Sequence, residues 1–216
     1  MIKETLLTLI LALIVLRVPF IGKYLKVVNT LVHEVVGHGL MSMLTDGKIN
    51  RVMLFSNTEG LAFTSYRSWF GKVLTAAAGY PLASITAFFF FYLYSLGNYQ
   101  WIVYILIGIT AMSLLFWVRN LYGIYWLVAF GGMLYVIYQH ITHPYARYAV
   151  LFIISVQMIE SVYSSFTIFY LSIKRKNDAG DAAALAASTH IPAACWGLLF
   201  LMQSLYFAYL ALTTMI

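Results

Sequence analysis

The chain has 216 residues, of which 62% are hydrophobic and only 9% charged, with a mean hydropathy of +0.86. Soluble domains carry about 25% charged residues, so a water-soluble fold is excluded, and the net charge of +6 reads as the basic bias of membrane loops rather than a nucleic-acid surface. The one cysteine, Cys195, rules out an internal disulfide framework and a cysteine-rich zinc cluster.

Apolar runs predict helices near 4–22, 28–45, 70–96, 100–118, 121–139, 147–173 and 184–214. A spanning helix needs about 20 apolar residues, and the pattern therefore predicts an all-α polytopic membrane protein of about seven transmembrane helices, with 1–216 as a single domain. The first run follows Lys3 as in a secretory signal. It continues into Arg17-Val18-Pro19-Phe20 without a small-residue cleavage site, which predicts a retained helix. The second run is the least apolar and holds His33, Glu34 and His38. Behind it, two β-prone runs, 51–56 and 60–65, flank Asn57-Thr58-Glu59 and predict a short β-hairpin at about 47–66.

Alternating the predicted spans collects Lys3, Lys48, Arg51, Arg67, Lys72, Arg119 and Lys174 to Lys176 on one side. The richer side is expected to be cytoplasmic, which places the N-terminus inside and, with seven spans, the C-terminus outside. Trp69, Trp101 and Trp117 fall near predicted helix ends and read as interfacial anchors.

Carboxylates and imidazoles inside predicted spans are informative, because a charge at a helix centre costs about 2.5–3.5 kcal/mol on insertion scales. The densest group is Leu31-Val32-His33-Glu34-Val35-Val36-Gly37-His38-Gly39-Leu40. Two histidines on one helix, with a glutamate beside the first, suit a metallopeptidase centre: neutral imidazoles hold Zn²⁺ and the glutamate takes a proton from water. The usual spacing is HExxH, whereas His33 and His38 are five apart. On a regular α-helix, i+4 lies about 40° from i and i+5 about 140° away. Either a π-bulge eased by Gly37 absorbs the extra residue, or the two imidazoles diverge and the metal site is lost.

His33-Glu34, Gly37-His38-Gly39-Leu40 and Leu44-Thr45-Asp46-Gly47 together resemble the HE-GHAL-LTGG pattern of site-2-protease-type intramembrane metallopeptidases, most closely their short bacterial, M50B-like branch. The likeness extends through Glu59-Gly60-Leu61-Ala62 and Ala76 to Pro81, then resumes at Asp181 to Ala186 with Thr189, Ile191-Pro192-Ala193 and Trp196. It implies an aspartate from a later helix as third zinc ligand, in a multi-pass protein of the bacterial cytoplasmic membrane. Asp181 matches the family's D-LA-T-IP spacing, with Asp178 as the fallback.

The function these features predict is zinc-dependent hydrolysis of a membrane-embedded or membrane-proximal peptide segment. Zn²⁺ would sit on His33, His38 and Asp181, and Glu34 would act as general base. Helical peptide bonds are shielded, so a protein or peptide substrate must be extended. The hairpin residues Leu54, Phe55, Ser56, Gly60 and Leu61 are the expected contacts for strand addition. Asn120 and Asn177 are candidate oxyanion donors, His190 a substitute ligand, and Arg119 a partner for the intramembrane Glu160. His140 and His143 form a weak pair in a loop. Two other classes share these features: a pseudoprotease that binds membrane segments without cutting them, and a small transporter or channel, although no repeated halves are visible.

Overall fold

The computed structural model describes residues 2–216. The chain order is α1 (Ile2–Val15), α2 (Ile21–Leu31), a π-helical stretch (Val32–Gly39), α3 (Leu40–Leu44), β1 (Lys48–Leu54) and β2 (Gly60–Ser65). Then come α4 (Trp69–Ser95), α5 (Tyr99–Met112) with a π-helical end (Ser113–Trp117), α6 (Leu121–Gln139), α7 (Pro144–Lys174), α8 (Gly180–Thr189) and α9 (Ala193–Thr213). Five of these are long and apolar enough to cross a membrane: α4, α5 with its π-helical end, α6, α7 and α9. This is an integral membrane protein with the expected hairpin, but the expected seven spans are not reached.

Two places account for the difference. The run expected at 4–22 stops at Val15, four residues before Pro19, which supplies no backbone donor and disfavours helix in the residue before it. The 14 residues of α1 rise about 21 Å, short of a hydrocarbon core of about 30 Å. The run expected at 184–214 breaks at His190, whose backbone is left-handed (φ 64°), and at Pro192, dividing it into α8 and α9. Between these, Ile21 to Leu44 run on unbroken, with helical backbone at both junctions. This stretch carries Lys23, Lys26, Asn29, His33, Glu34 and His38, too polar a set for lipid on every side.

The short α1 also changes how the ends are sorted. The Tyr148 hydroxyl, one turn into α7, donates to Glu4 (3.0 Å), so α1 begins at the end of the bundle where α6 joins α7. Its far end packs part-way along α7, with Leu16 against Leu25 and Val156. Ser42 of α3 donates to the carbonyl of Ser65, shortly before α4 begins at the opposite end. Thus α1 to α3 run in one direction along the bundle, where two opposed helices were expected. Lys3 lies at the opposite end from Lys72 and Lys174, not beside them.

Unequal helix lengths create the hairpin's seat. The 27 residues of α4 and 31 of α7 rise about 40 and 46 Å, whereas the 19 residues of α5 with its π-helical end and the 19 of α6 rise about 28 Å each. The hairpin docks at the shortened end. Val52 bridges Val118, and Asn120 grips Leu54 by both backbone groups, accepting from its N–H (3.1 Å) and donating to its carbonyl (2.5 Å). β1 and β2 pair antiparallel from Leu54↔Gly60 to Lys48↔Ser65, with a bulge between Ile49 and Arg51. The outer edge of β1 is therefore covered. The outer edge of β2 faces α2 and the π-helical stretch, where the Thr30 hydroxyl donates to the Thr58 carbonyl (2.7 Å).

Candidate metal centre

The extra residue between the histidines is taken up by the π-helical stretch Val32–Gly39. A π-helix bonds i to i+5, so residue 38 lies over residue 33 much as i+4 lies over i in an α-helix. The two Nε2 atoms are 3.0 Å apart, with the rings edge-to-face. After α7, a 3₁₀ turn (Lys176–Asp178) and Gly180 (φ 45°) fold the chain back so that the first turn of α8 reaches this pair. Asp181 Oδ2 stands 3.2 Å from each Nε2. Of the two candidate aspartates, Asp181 joins the histidines; Asp178 is exposed and pairs with Arg175 at 3.6 Å.

Neighbouring groups fix each ring. His38 Nδ1 donates to the carbonyl of Thr75 (2.7 Å), and an acceptor there puts the proton on Nδ1 and leaves the Nε2 lone pair facing the cluster. Tyr80 packs edge-to-face on His33 with centroids 4.5 Å apart. Gly79 supplies the floor. A Cβ on it would collide with His33 Cε1 and lie 2.6 Å from His33 Nε2 and 2.8 Å from His38 Cε1. Gly37 makes the approach possible, because a Cβ there would come within 2.6 Å of the Gly79 Cα.

Three donors suit a tetrahedral cation. Zinc bonds of about 2.0–2.2 Å imply about 3.4 Å between neighbouring ligand atoms; the edges here are 3.0, 3.2 and 3.2 Å. Asp181 Oδ2 is buried without a hydrogen-bond partner, although two imidazole nitrogens face it. A buried, unsatisfied carboxylate oxygen is expensive, and a cation between the three atoms would satisfy it.

The cluster opens on a cavity of about 630 Å³ between α2, β2, α4, α7 and α8. Buried Glu34 lines it and, among the described residues, makes no hydrogen bond or ion pair. A Cβ on Gly60 would meet the Glu34 side chain at 2.7–2.9 Å, so only glycine lets β2 pass this close. Gly60 and Leu61 line the cavity with Ala62 and Thr64. Leu54 is fully buried under Asn120, and neither Phe55 nor Ser56 lines the cavity. At the far end Lys26 pairs with Glu160 at 3.3 Å and lies over the Tyr163 ring.

The remaining candidates lie elsewhere. Arg119, the expected partner of Glu160, instead donates to the carbonyls of Leu114, Leu115, Phe116 and Val118, capping the end of α5. His190 is exposed at the α8–α9 corner, and His140 and His143 stack around Tyr145 in the α6–α7 connection. Asn120 is committed to Leu54, and Asn177 is exposed. Nothing in the sequence assigns a role at the cluster to Thr75 or Gly79. Gly79 stood in a noted motif, but Thr75 acts through its backbone and carries no side-chain signal.

Fold and cluster together define a class: a polytopic membrane protein that gathers two imidazole nitrogens and a carboxylate oxygen beside a polar cavity. The particular family follows from comparison. The chain belongs to the peptidase M50B-like family, whose model matches residues 6–211. No curated protein and no solved structure gives a significant match.

Proposed function

We propose that this protein is an intramembrane zinc metallopeptidase that cleaves extended segments of membrane proteins or peptides. The observation that carries the reading is the convergence of His33, His38 and Asp181 to edges of 3.0–3.2 Å beside an unpartnered Glu34. Those three residues would hold Zn²⁺, which supplies Lewis acidity toward water and the peptide carbonyl. Glu34 then accepts the proton of the attacking water and delivers it to the departing amine. Its lack of any competing hydrogen bond suits a group that must take up and release a proton. Thr75 holds His38 in the tautomer that faces the cluster. The exposed edge of β2 offers main-chain groups to an extended substrate from Gly60 to Thr64, so that the peptide lies along Glu34 and the histidines.

The main support for a binding-only pseudoprotease is the altered spacing, which the 3.0 Å approach of the two Nε2 atoms weakens. The test is metal content by mass spectrometry on purified protein, alongside hydrolysis of a membrane-segment peptide in proteoliposomes. Wild type should carry about one zinc per chain, His33→Ala should lose it, and Glu34→Gln should keep it while hydrolysis falls by about 10²–10⁴-fold. Full activity in Glu34→Gln, or no zinc in wild type, would sink the reading.

A further inference from the structure

Charge matching within the cavity singles out one residue. Lys26 is neutralised by Glu160, Glu59 accepts from Asn57 (2.7 Å), Asp178 pairs with Arg175, and Asp181 faces the two histidines. Among the described residues, only two charged groups lining the cavity are left without a partner, Glu34 and Lys72. The proposed reaction uses Glu34. Nothing yet uses Lys72, a half-buried lysine in the first turn of α4.

Its position is informative. Lys72 shares a face of α4 with Thr75, which orients His38, and with Gly79, which floors both imidazoles: they lie three and seven residues further on. At about 1.5 Å per residue, Lys72 stands about 10 Å along the helix from the level of the histidines. The cavity wall also includes the far end of β2, at Thr64, followed by Tyr66. That end lies near the start of α4, because a Cβ on Gly71 would meet Asp46 and one on Gly47 would meet the Ser65 carbonyl. A strand added to β2 rises about 3.3 Å per residue, so Lys72 meets it about three residues from the bond beside the cluster.

From this we infer that Lys72 is a specificity-determining residue that selects a carboxylate, either an acidic side chain or a free C-terminus, about three residues from the cleaved bond. The inference rests on the proposed peptide-binding role of the cavity. An ammonium group with three unused donors, half withdrawn from water, gains more from a carboxylate than from a neutral group, and it repels a cation. The opposite end of the cavity lacks this preference because Glu160 already satisfies Lys26. The asymmetry would also set which way the substrate lies.

The probe is an extended Ala/Leu decapeptide amide in which a single Asp, Asn or Lys is moved through each position. Binding is read by fluorescence anisotropy on the full-length, zinc-loaded Glu34→Gln protein, which does not consume the peptide. One position should favour Asp over Asn by about three- to tenfold, equivalent to about 0.7–1.4 kcal/mol. A free-acid version of a decapeptide truncated at that position should match the Asp peptide if the terminus is the source. Lys72→Gln should level the ranking and Lys72→Glu should invert it in favour of Lys. Because the Lys72 side chain has no hydrogen bond or ion pair among the described residues that either change would break, melting temperatures should stay put. Equal binding of Asp, Asn and Lys at every position, an unaltered ranking in Lys72→Glu, or no binding at all would each overturn the inference. A ranked series with no zinc-dependent cleavage by wild type would instead refute the peptidase reading and leave the carboxylate subsite standing.

Discussion

Replacing Gly79 with alanine tests the cluster without touching a donor atom. The new methyl group would collide with His33 Cε1 and sit 2.6 Å from His33 Nε2 and 2.8 Å from His38 Cε1. Ordinary contact begins near 3.4 Å, so the rings must move by roughly 0.6–1 Å or α4 must back away. Overpacking of this kind costs about 1–3 kcal/mol, and metal sites tolerate only about ±0.2 Å in ligand distance. Zinc affinity should therefore fall by about 10–100-fold, the range seen when supporting contacts of a metal site are lost. Competition with a chromophoric chelator reads the affinity, and thermal unfolding in detergent reads the stability. Gly132→Ala is the control, since a Cβ there meets nothing within 4 Å; it should leave both values unchanged. If Gly79→Ala bound zinc as wild type does while Gly132→Ala also behaved normally, Gly79 could not be the floor of a metal site.

Two further outcomes follow from the fold. Asn120→Ala strips both partners from the backbone of buried Leu54 and should destabilise the protein by about 2–4 kcal/mol, since an unsatisfied buried group costs about 1–3 kcal/mol; an unchanged melting temperature would refute the docking role given to Asn120. Thiol labelling of single cysteines placed at residues 2, 97 and 214 in a Cys195→Ser background should find all three on one side of the membrane. A cysteine at 176 should react from the other, which the positive-inside rule makes cytoplasmic. Opposite labelling of residues 2 and 214 would restore the seven-span topology.

Much of the centre was legible because its chemistry is carried by side chains. His33, Glu34, His38 and Asp181 stand out in an apolar chain, and the hairpin announces itself by strand-prone runs around a turn. The number of spans was harder, since run length does not register a chain that bends inside an apolar stretch. Pro19 and Pro192 were visible, but a left-handed His190 was not. The choice of open strand was also beyond reach. Leu54 to Ser56 and Gly60 to Leu61 are equally strand-like, and the sequence does not show that Asn120, 66 residues from Leu54, covers the outer edge of β1. Likewise Glu160 found Lys26 rather than Arg119, because the turn at 16–20 sets α2 against the middle of α7.

The inserted residue that most threatened the metal centre has become part of its packing. A π-helical turn is wider than an α-helical one and is usually a local defect, tolerated where a function needs it. Here it spans eight residues, and its two glycines meet different neighbours. Gly37 abuts Gly79 of α4, while a Cβ on Gly39 would strike Ile49 of β1 at 2.5 Å. The same stretch therefore presses the histidines onto α4 on one side and admits the hairpin on the other. Removing one residue to recover the HExxH spacing would close the stretch to an ordinary α-helix and keep His38 over His33, because the wide turns already absorb the extra residue. What would change is the local width of the helix at Gly37 and Gly39, where the backbone approaches Gly79 of α4 and Ile49 of β1. The wider spacing is thus tied to how closely this stretch meets α4 and the hairpin, and the same eight residues pack both the candidate metal cluster and the strand beside it.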